Sequence, residues 1–154
     1  MKIKKKYYFS FFITTVCLVL DQFSKFIILK KIDSLPFEDF FLPGLNIVYV
    51  ENRGVSFGFL SEYNIPFYLG VLSLIISLYI IYLIRESSNK TELVGLSLIL
   101  GGALGNGFDR LINGFVIDFI DLYYKQFHWP AFNFADTSIT IGAVLFFFHA
   151  LRNK

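Results

Sequence analysis

Two aspartates occupy positions where an ionised side chain is costly. Asp118 has two large apolar residues on each side, and Asp136 begins the last long apolar segment of the chain. Ionisable residues within or against a bilayer are rare, and they are functional candidates by default. Two carboxylates that approach each other can share one proton, so that one is a base and the other an acid near neutral pH. Such a pair could activate water and hydrolyse a peptide bond without a covalent intermediate.

Each of these aspartates also has a purely structural explanation. Asp136 could cap the helix that it begins, because aspartate is favoured there and Thr137 follows. Asp118 could be an interfacial carboxylate whose apolar neighbours dip into lipid. Asp121, three residues further along, is the main rival of Asp118 for a catalytic role.

Two further aspartates have a basic residue nearby, and for them the structural explanation is favoured. Asp21 and Lys25 are four residues apart, which on a helix permits an ion pair that lowers the cost of burying both charges. We expect this pair to stabilise the first helix. Asp109 is adjacent to Arg110, and we expect these two to form a structural or substrate-orienting charge group.

Other hydrolytic chemistries fit the sequence poorly. His128 and His149 lack metal-ligand spacing, and the single cysteine, Cys17, excludes a disulfide framework and a cysteine-based metal site. Ser138 and His149 on one helix would be about 16 Å apart, too far for a nucleophile and its base. We therefore expect no metal and no cofactor. The net charge of +2 is too small to indicate nucleic acid as a partner.

The composition is that of a protein whose solvent is lipid. Of the 154 residues, 55% are hydrophobic and only 17% are charged, and the mean hydropathy is +0.60. A helix needs about 20 mostly apolar residues to cross a bilayer. Four segments approach this length, at about residues 7–29, 66–84, 92–108 and 135–151. They indicate one integral-membrane domain, residues 1–154, with outer loops at 30–65 and 109–134.

The basic residues orient these spans. Lysine and arginine accumulate on the cytoplasmic side of membrane proteins. The side shared by both termini carries four N-terminal lysines, Arg85, Lys90, Arg152 and Lys154, and the other side carries fewer basic residues: Lys30, Lys31, Arg53, Arg110 and Lys125. We therefore expect both termini in the cytoplasm and an uncleaved first span rather than a removed signal peptide. The β-branched, alternating segment Leu45–Val50 predicts a strand. The predicted fold is a membrane all-α bundle of four transmembrane helices with a small extracytoplasmic β-sheet in the first outer loop.

Five segments stand out in order along the chain: Asp21–Lys25, Asn52–Gly58, Gly101–Arg110, Val116–Phe119 and Phe132–Thr137. Together they resemble the motifs of the lipoprotein signal peptidase (signal peptidase II) family. The second departs from the family in having Ser56 where alanine is more usual. Any one motif is weak evidence, but five in family order, with the right length and number of spans, make a specific resemblance.

The resemblance implies an aspartyl endopeptidase of the bacterial inner membrane. The family removes signal peptides from prolipoproteins, cleaving before a cysteine that already carries a diacylglyceryl group, and its inhibitor is the cyclic lipopeptide globomycin. The positions that match its catalytic pair are Asp118 and Asp136, near the outer membrane face. The position matching Asp21 is linked to function or stability rather than to chemistry. Seven further positions match residues around the family's active site: Asn52, Gly54, Asn106, Asp109, Arg110, Asn133 and Ala135.

Two other functional classes stay open from the residues alone. Buried carboxylates with a basic partner also suit a proton-coupled transporter or a small channel subunit. Four short spans without an inverted repeat or paired broken helices argue against that class. A non-enzymatic assembly subunit is the remaining alternative. Cleavage of a lipidated precursor by the purified protein would separate all three.

Overall fold

The computed structural model describes residues 3–37, 42–54 and 65–152. Among these residues are four helices long and apolar enough to cross a membrane: α1 (Ile3–Lys30), α2 (Pro66–Glu86), α3 (Lys90–Ile112) and α4 (Phe134–Arg152). Each contains one of the four predicted spans and continues a few residues further. The helices run on into polar residues until a cap or turn stops them. At α3, for example, the side chain of Asn89 accepts hydrogen bonds from the main-chain N–H groups of Thr91 and Glu92.

The four helices alternate in direction. At one end of the bundle, the ammonium of Lys6 near the start of α1 donates hydrogen bonds to the main-chain oxygens of Arg85 and Ser87, where α2 finishes. At the other end, Asp21 of α1 accepts a hydrogen bond from the main-chain N–H of Ala135 in the first turn of α4. The second end therefore combines the closing turns of α1 and α3 with the opening turns of α2 and α4.

Helix α3 is the most buried of the four and packs against each of the others. Glycines allow the close approach. A carbon added at Gly101 would come within 2.7 Å of Cβ of Cys17 on α1, and one added at Gly95 within 2.7 Å of the main-chain oxygen of Gly142 on α4. Small residues of this kind are common where helices contact one another in lipid. Because lipid tails are as apolar as the side chains, the hydrophobic effect does not drive helices together there, and close packing must do so.

The other three helices direct large apolar side chains outward. Phe11 on α1, Leu78 on α2 and Phe147 on α4 are each more than 60% exposed. Apolar side chains exposed around most of a helix bundle match a hydrocarbon surrounding rather than water. The chain is accordingly a multi-pass membrane protein.

A small antiparallel sheet lies at the second end of the bundle. It has three strands in the order β1 (Leu45–Asn52), β2 (Val116–Tyr124) and β3 (Phe127–His128). Ile117 and Phe119 of β2 pack on Ile28 near the end of α1, which attaches the sheet to the bundle. A bulge in β1 between Ile47 and Val50 shifts the register by one residue, so that Val50 lies opposite Asp118 and Ile47 opposite Ile120.

The sheet differs from the predicted one in where its strands come from. β1 contains the predicted segment Leu45–Val50, but β2 and β3 lie in the connection between α3 and α4 rather than in the first outer loop. The reason is burial: Val116, Ile117 and Phe119 are all nearly inaccessible, so both faces of β2 are covered. A strand covered on both faces reads as a continuous apolar run and lacks the alternation that identifies a half-exposed strand.

Candidate active site

Asp118 is buried in the central strand of the sheet and lines a large cavity. Its side chain is 2% exposed, and it accepts hydrogen bonds from the side-chain amides of Asn52 (2.9 Å) and Asn133 (2.6 Å). Burial, and secondarily the negative charge of Asp136, raises the pKa of the Asp118 carboxyl to about 6, while the two amide donors oppose that rise. Asp118 therefore exchanges its proton much closer to neutrality than an ordinary aspartate.

Asp136 lies in the first turn of α4, where it forms a reciprocal cap with Asn133. The side-chain oxygen of Asn133 accepts the N–H of Asp136 at 2.9 Å, and a carboxylate oxygen of Asp136 accepts the N–H of Asn133 at 3.2 Å. This is a capping box, in which two otherwise unpaired N–H groups are satisfied at once. The structural explanation considered for Asp136 is thus modified: Asn133 is the capping residue, and Asp136 is its partner in the third position of the helix. The second carboxylate oxygen of Asp136 remains available to other groups.

Asn133 connects the two aspartates. It is fully buried, its side-chain nitrogen donates to Asp118, and its side-chain oxygen and main-chain N–H are both used by Asp136. One residue thus determines the position of both carboxylates. Its spacing of three from Asp136 was a visible capping-box signal in the sequence, whereas its bond to Asp118 depends on how the strand packs on the helix.

The other carboxylate oxygen of Asp136, which takes no part in the cap, accepts a hydrogen bond of 2.8 Å from the side-chain amide of Asn106 on α3. The oxygen of that same amide accepts hydrogen bonds from Lys25 (3.0 Å) and Asn133 (3.2 Å). Because both of these groups donate, the amide of Asn106 must present its oxygen to them and its nitrogen to Asp136. Lys25 therefore acts on Asp136 through Asn106.

Lys25 is the centre of a buried charge cluster beneath the two aspartates. Its ammonium is 2.7 Å from Asp21, as the spacing of four predicted, and 2.7 Å from Asp109 on α3. Gln22 donates hydrogen bonds to both of these carboxylates, at 3.2 and 3.1 Å. Asp21 also receives the N–H of buried Ala135. The cluster fixes α1, α3 and the start of α4 relative to one another.

Arg110 turns away from that cluster and faces the cavity. The expected Asp109–Arg110 group is thus divided, since Asp109 pairs with Lys25 while Arg110 donates to the main-chain oxygens of Gly54 (2.8 Å) and Asn106 (3.3 Å). Gly54 in turn donates its N–H to the side-chain oxygen of Asn52 at 3.0 Å. Arg110 and Asn52 therefore fix the end of β1 beside Asp118. Residues 55–58 of the second motif, Ser56 among them, lie outside the described residues.

Asp121 is held by other groups. Asn46 of β1 donates to it at 2.9 Å, and Nδ1 of His128 is 3.0 Å from both of its oxygens. Asp121 does not line the cavity that Asp118 and Asp136 share. Because it is an odd number of residues from Asp118 along the strand, its side chain points to the opposite face.

The cavity has a volume of about 710 Å³, and three helices form most of its wall. On α2 it extends from Leu69 to Ile76, about 10 Å of helix, so it reaches from the sheet into the depth of the bilayer. Its polar groups are concentrated at the sheet end: Asn52, Asn106, Arg110, Asp118 and Asp136. The remainder of the wall is mostly apolar, with Ile99 and Ile139 among its residues. Such a cavity suits a ligand with an apolar body and one polar, reactive point.

Comparisons with known proteins agree on one family. The family model described as signal peptidase (SPase) II matches residues 13–152. A lipoprotein signal peptidase of Polynucleobacter necessarius subsp. necessarius (strain STIR1) is 43% identical over 145 residues, which cover 92% of this chain and 88% of the relative. One of Thermodesulfovibrio yellowstonii (strain ATCC 51303 / DSM 11347 / YP87) is 42% identical over 135 residues, covering 88% and 89%.

Two solved structures have the same fold. Both are described as bacterial membrane enzymes determined by the in meso method, one at 2.3 Å and one at 1.9 Å resolution. The first superposes with a TM-score of 0.83 at 33% identity, covering 94% of this chain and 88% of the other. The second has a TM-score of 0.79 at 34% identity and covers 94% of each chain.

Proposed function

The chain belongs to the signal peptidase II family, aspartic-type enzymes that remove signal peptides from prolipoproteins, and we propose that Asp118 and Asp136 are its catalytic pair. The observation that carries this proposal is the position of Asn133, which donates from its side chain to Asp118 and from its main chain to the Asp136 carboxylate, at the polar end of one cavity. The negative charge of Asp136 raises the pKa of Asp118, as expected of two carboxylates that act as a unit.

In the proposed mechanism Asp136 is the base and Asp118 the acid. Asp136 starts ionised, supported by the amide of Asn106, the N–H of Asn133 and the positive end of the helix dipole. It takes a proton from water while the hydroxyl oxygen bonds to the scissile carbonyl carbon, and Asp118 gives its proton to the carbonyl oxygen. Asp136 then protonates the leaving nitrogen, the C–N bond breaks, and Asp118 recovers its proton as the new carboxyl group forms.

Supporting roles follow from the contacts of the surrounding residues. Asn52 and Asn133 hold Asp118, and Asn106 holds Asp136. Arg110 lines the cavity with a cationic guanidinium group. This group can interact with a carbonyl oxygen of the substrate. Three further positions are implied by the family. Gly54 and Ala135 act through their main-chain groups, and Asp109 acts through its ion pair with Lys25. Asp21 and Lys25 have a structural role.

The proposed substrate is a prolipoprotein cleaved just before its diacylglyceryl-modified cysteine. The mostly apolar cavity wall along α2, α3 and α4 supports this, because an acyl chain or an apolar signal peptide can occupy it without stranding polar groups. Equal cleavage of lipidated and unlipidated precursors by the purified protein would contradict the requirement for lipid. A globomycin-type cyclic peptide should occupy the same cavity and compete with the precursor, whereas a zinc chelator should have no effect on the rate.

We also propose the bacterial inner membrane as the location, with both termini in the cytoplasm and the sheet and active site at the outer face. The lysines at the start of α1 and the basic ends of α2 and α4 support this orientation. A translocated signal peptide would present its cleavage point at that outer face.

The direct test of function is cleavage of a lipidated precursor by the purified enzyme in detergent or liposomes. Failure of the intact, folded protein to cut that precursor would contradict the proposed function.

A further inference from the structure

A second cavity of about 370 Å³ lies beside the sheet, lined by different residues from the active-site cavity. Its walls come from the last two turns of α1, from β1 and β2, and from Phe134 at the start of α4. The described residues expose no polar atom in these walls. The hydroxyl of Ser24, which belongs to the lining, already donates to the main-chain oxygen of Asp21 at 2.7 Å. The cavity is therefore apolar throughout.

The position of this cavity in the membrane follows from α1. Its lining extends from Ser24 to Lys31, which immediately follows the last residue of the span. The seven steps from Ser24 to Lys31 correspond to about 10 Å, so the cavity begins at the membrane surface and reaches into the hydrocarbon. Lys31 is the one charged residue in the lining among the described residues, and it contributes its aliphatic stem to the wall. Long lysine side chains commonly bury such a stem while the ammonium remains at the surface.

We propose that this cavity binds one acyl chain of a glycerophospholipid whose phosphate contacts the ammonium of Lys31. Acyl chains of the surrounding bilayer can reach this apolar wall, and packing against it gains dispersion contacts. Its volume lies within the range of small-molecule sites. The phosphate is specified by charge, because a lysine at the membrane surface attracts phosphate-bearing headgroups. This lipid site is separate from the substrate site and does not depend on the proposed catalytic pair.

A lipid in this position would support the active site from behind. Phe119 and Phe134 both line the cavity, and their rings meet edge to face with centroids 5.8 Å apart. Phe119 adjoins Asp118 on β2, and Phe134 adjoins Asn133 at the start of α4. An acyl chain packed against both rings would restrict the movement of the strand relative to the helix. The expected result of binding is a higher melting temperature.

Native mass spectrometry of the detergent-purified protein tests the proposal without any cleavage reaction. Phosphatidylglycerol and a diacylglycerol with the same chains are the two probes. We expect one retained phosphatidylglycerol per protein at this site, weaker retention of diacylglycerol, and a larger rise in melting temperature with phosphatidylglycerol than with diacylglycerol. Lys31→Gln should weaken phosphatidylglycerol binding about fivefold and leave diacylglycerol unchanged. Ile27→Trp, which fills the cavity, should remove one bound lipid from the parent count for both probes and leave any lipid in the active-site cavity in place.

Two variants on the same helix serve as matched controls. Lys30→Gln removes an adjacent lysine that lies over the ring of Phe26 and does not line the cavity. Leu29→Trp adds the same bulk at an exposed position outside the lining. Both should bind phosphatidylglycerol like the parent protein. Equal retention of the two lipids by the parent, equal effects of Lys30→Gln and Lys31→Gln, or full retention by Ile27→Trp would each overturn the proposal.

Discussion

The ammonium of Lys25 is 3.0 Å from the side-chain oxygen of Asn106, and the nitrogen of the same amide is 2.8 Å from Asp136. The amide thus has a fixed direction: its acceptor end faces a cation and its donor end faces a carboxylate. A side chain that replaces Asn106 must therefore accept a hydrogen bond from Lys25 and donate one to Asp136, which a carboxylate with two acceptor oxygens cannot do.

This direction predicts an unusual order among variants of Asn106. Asn106→Leu should lower kcat/KM about 10- to 100-fold, because Asp136 loses one hydrogen bond to its charged form. Asn106→Asp, although closer in shape, should lose more, since it places an oxygen against Asp136. Cleavage of a lipidated precursor should be measured for both variants after their melting temperatures have shown that they are folded. Higher activity in the Asp variant than in the Leu variant would contradict the assigned direction.

The proposed catalytic pair predicts two inactive variants and two that retain activity. Asp118→Asn and Asp136→Asn should each lower the cleavage rate at least about 10³-fold, because members of a shared-proton pair cannot act alone. Asp121→Asn should retain most activity, since that side chain is bound by Asn46 and His128 away from the cavity. Asp109→Asn should retain partial activity. Folding is checked by elution in detergent and by melting. If a folded Asp118→Asn enzyme still cleaves while a folded Asp121→Asn enzyme is inactive, then Asp121 and not Asp118 is the catalytic residue.

The raised pKa of Asp118 predicts a decline in activity at alkaline pH. With a pKa of about 6, Asp118 loses its proton as the pH rises through that value, so an enzyme that needs it as an acid loses kcat/KM above it. The amide of Asn52 stabilises the ionised form. Asn52→Ala should therefore raise this pKa and move the declining limb upward by about one pH unit.

Asn46 is the matched control for this pH experiment. It lies on the same strand and donates to Asp121 at 2.9 Å, the same distance that joins Asn52 to Asp118. Asn46→Ala should leave the alkaline limb where it is in the parent enzyme. An unmoved limb in Asn52→Ala, or equal shifts in both variants, would show that the limb reports another group.

The proposed orientation predicts which surface cysteines a membrane-impermeant reagent reaches. In a Cys17→Ala background, Arg53→Cys and Gln126→Cys should be labelled from outside intact cells, because both positions are exposed near the sheet. Ser88→Cys, in the exposed turn between α2 and α3, should be labelled only after permeabilisation. Ser88 is preferable to Asn89, whose side chain caps α3. If Ser88→Cys is labelled in intact cells without permeabilisation, the proposed topology is wrong and the true orientation is the reverse.

The helices were predictable because length and hydropathy suffice to identify a span, whatever it packs against. The central strand was not: Val116 to Phe119 is buried on both faces, and the large apolar residues on either side of Asp118 do not show the alternation that separates a strand from a buried helix. The ion pair of Asp21 and Lys25 was predictable because it is local on one helix. The bond from Lys25 to Asn106 spans 81 residues, and no local pattern encodes a contact between two helices at that separation.

The bulge in β1 has a consequence for how this strand can change in length. Asn46 lies opposite Asp121 and Asn52 opposite Val116, so six steps on one strand match five on the other. Deleting one residue between Ile47 and Val50 would give an unbroken ladder in which both asparagines keep their partners. Straightening the strand at its present length would instead turn Asn52 to the opposite face, away from Asp118. Relatives of this chain can therefore differ by a residue here, provided that the number of residues and the bulge change together.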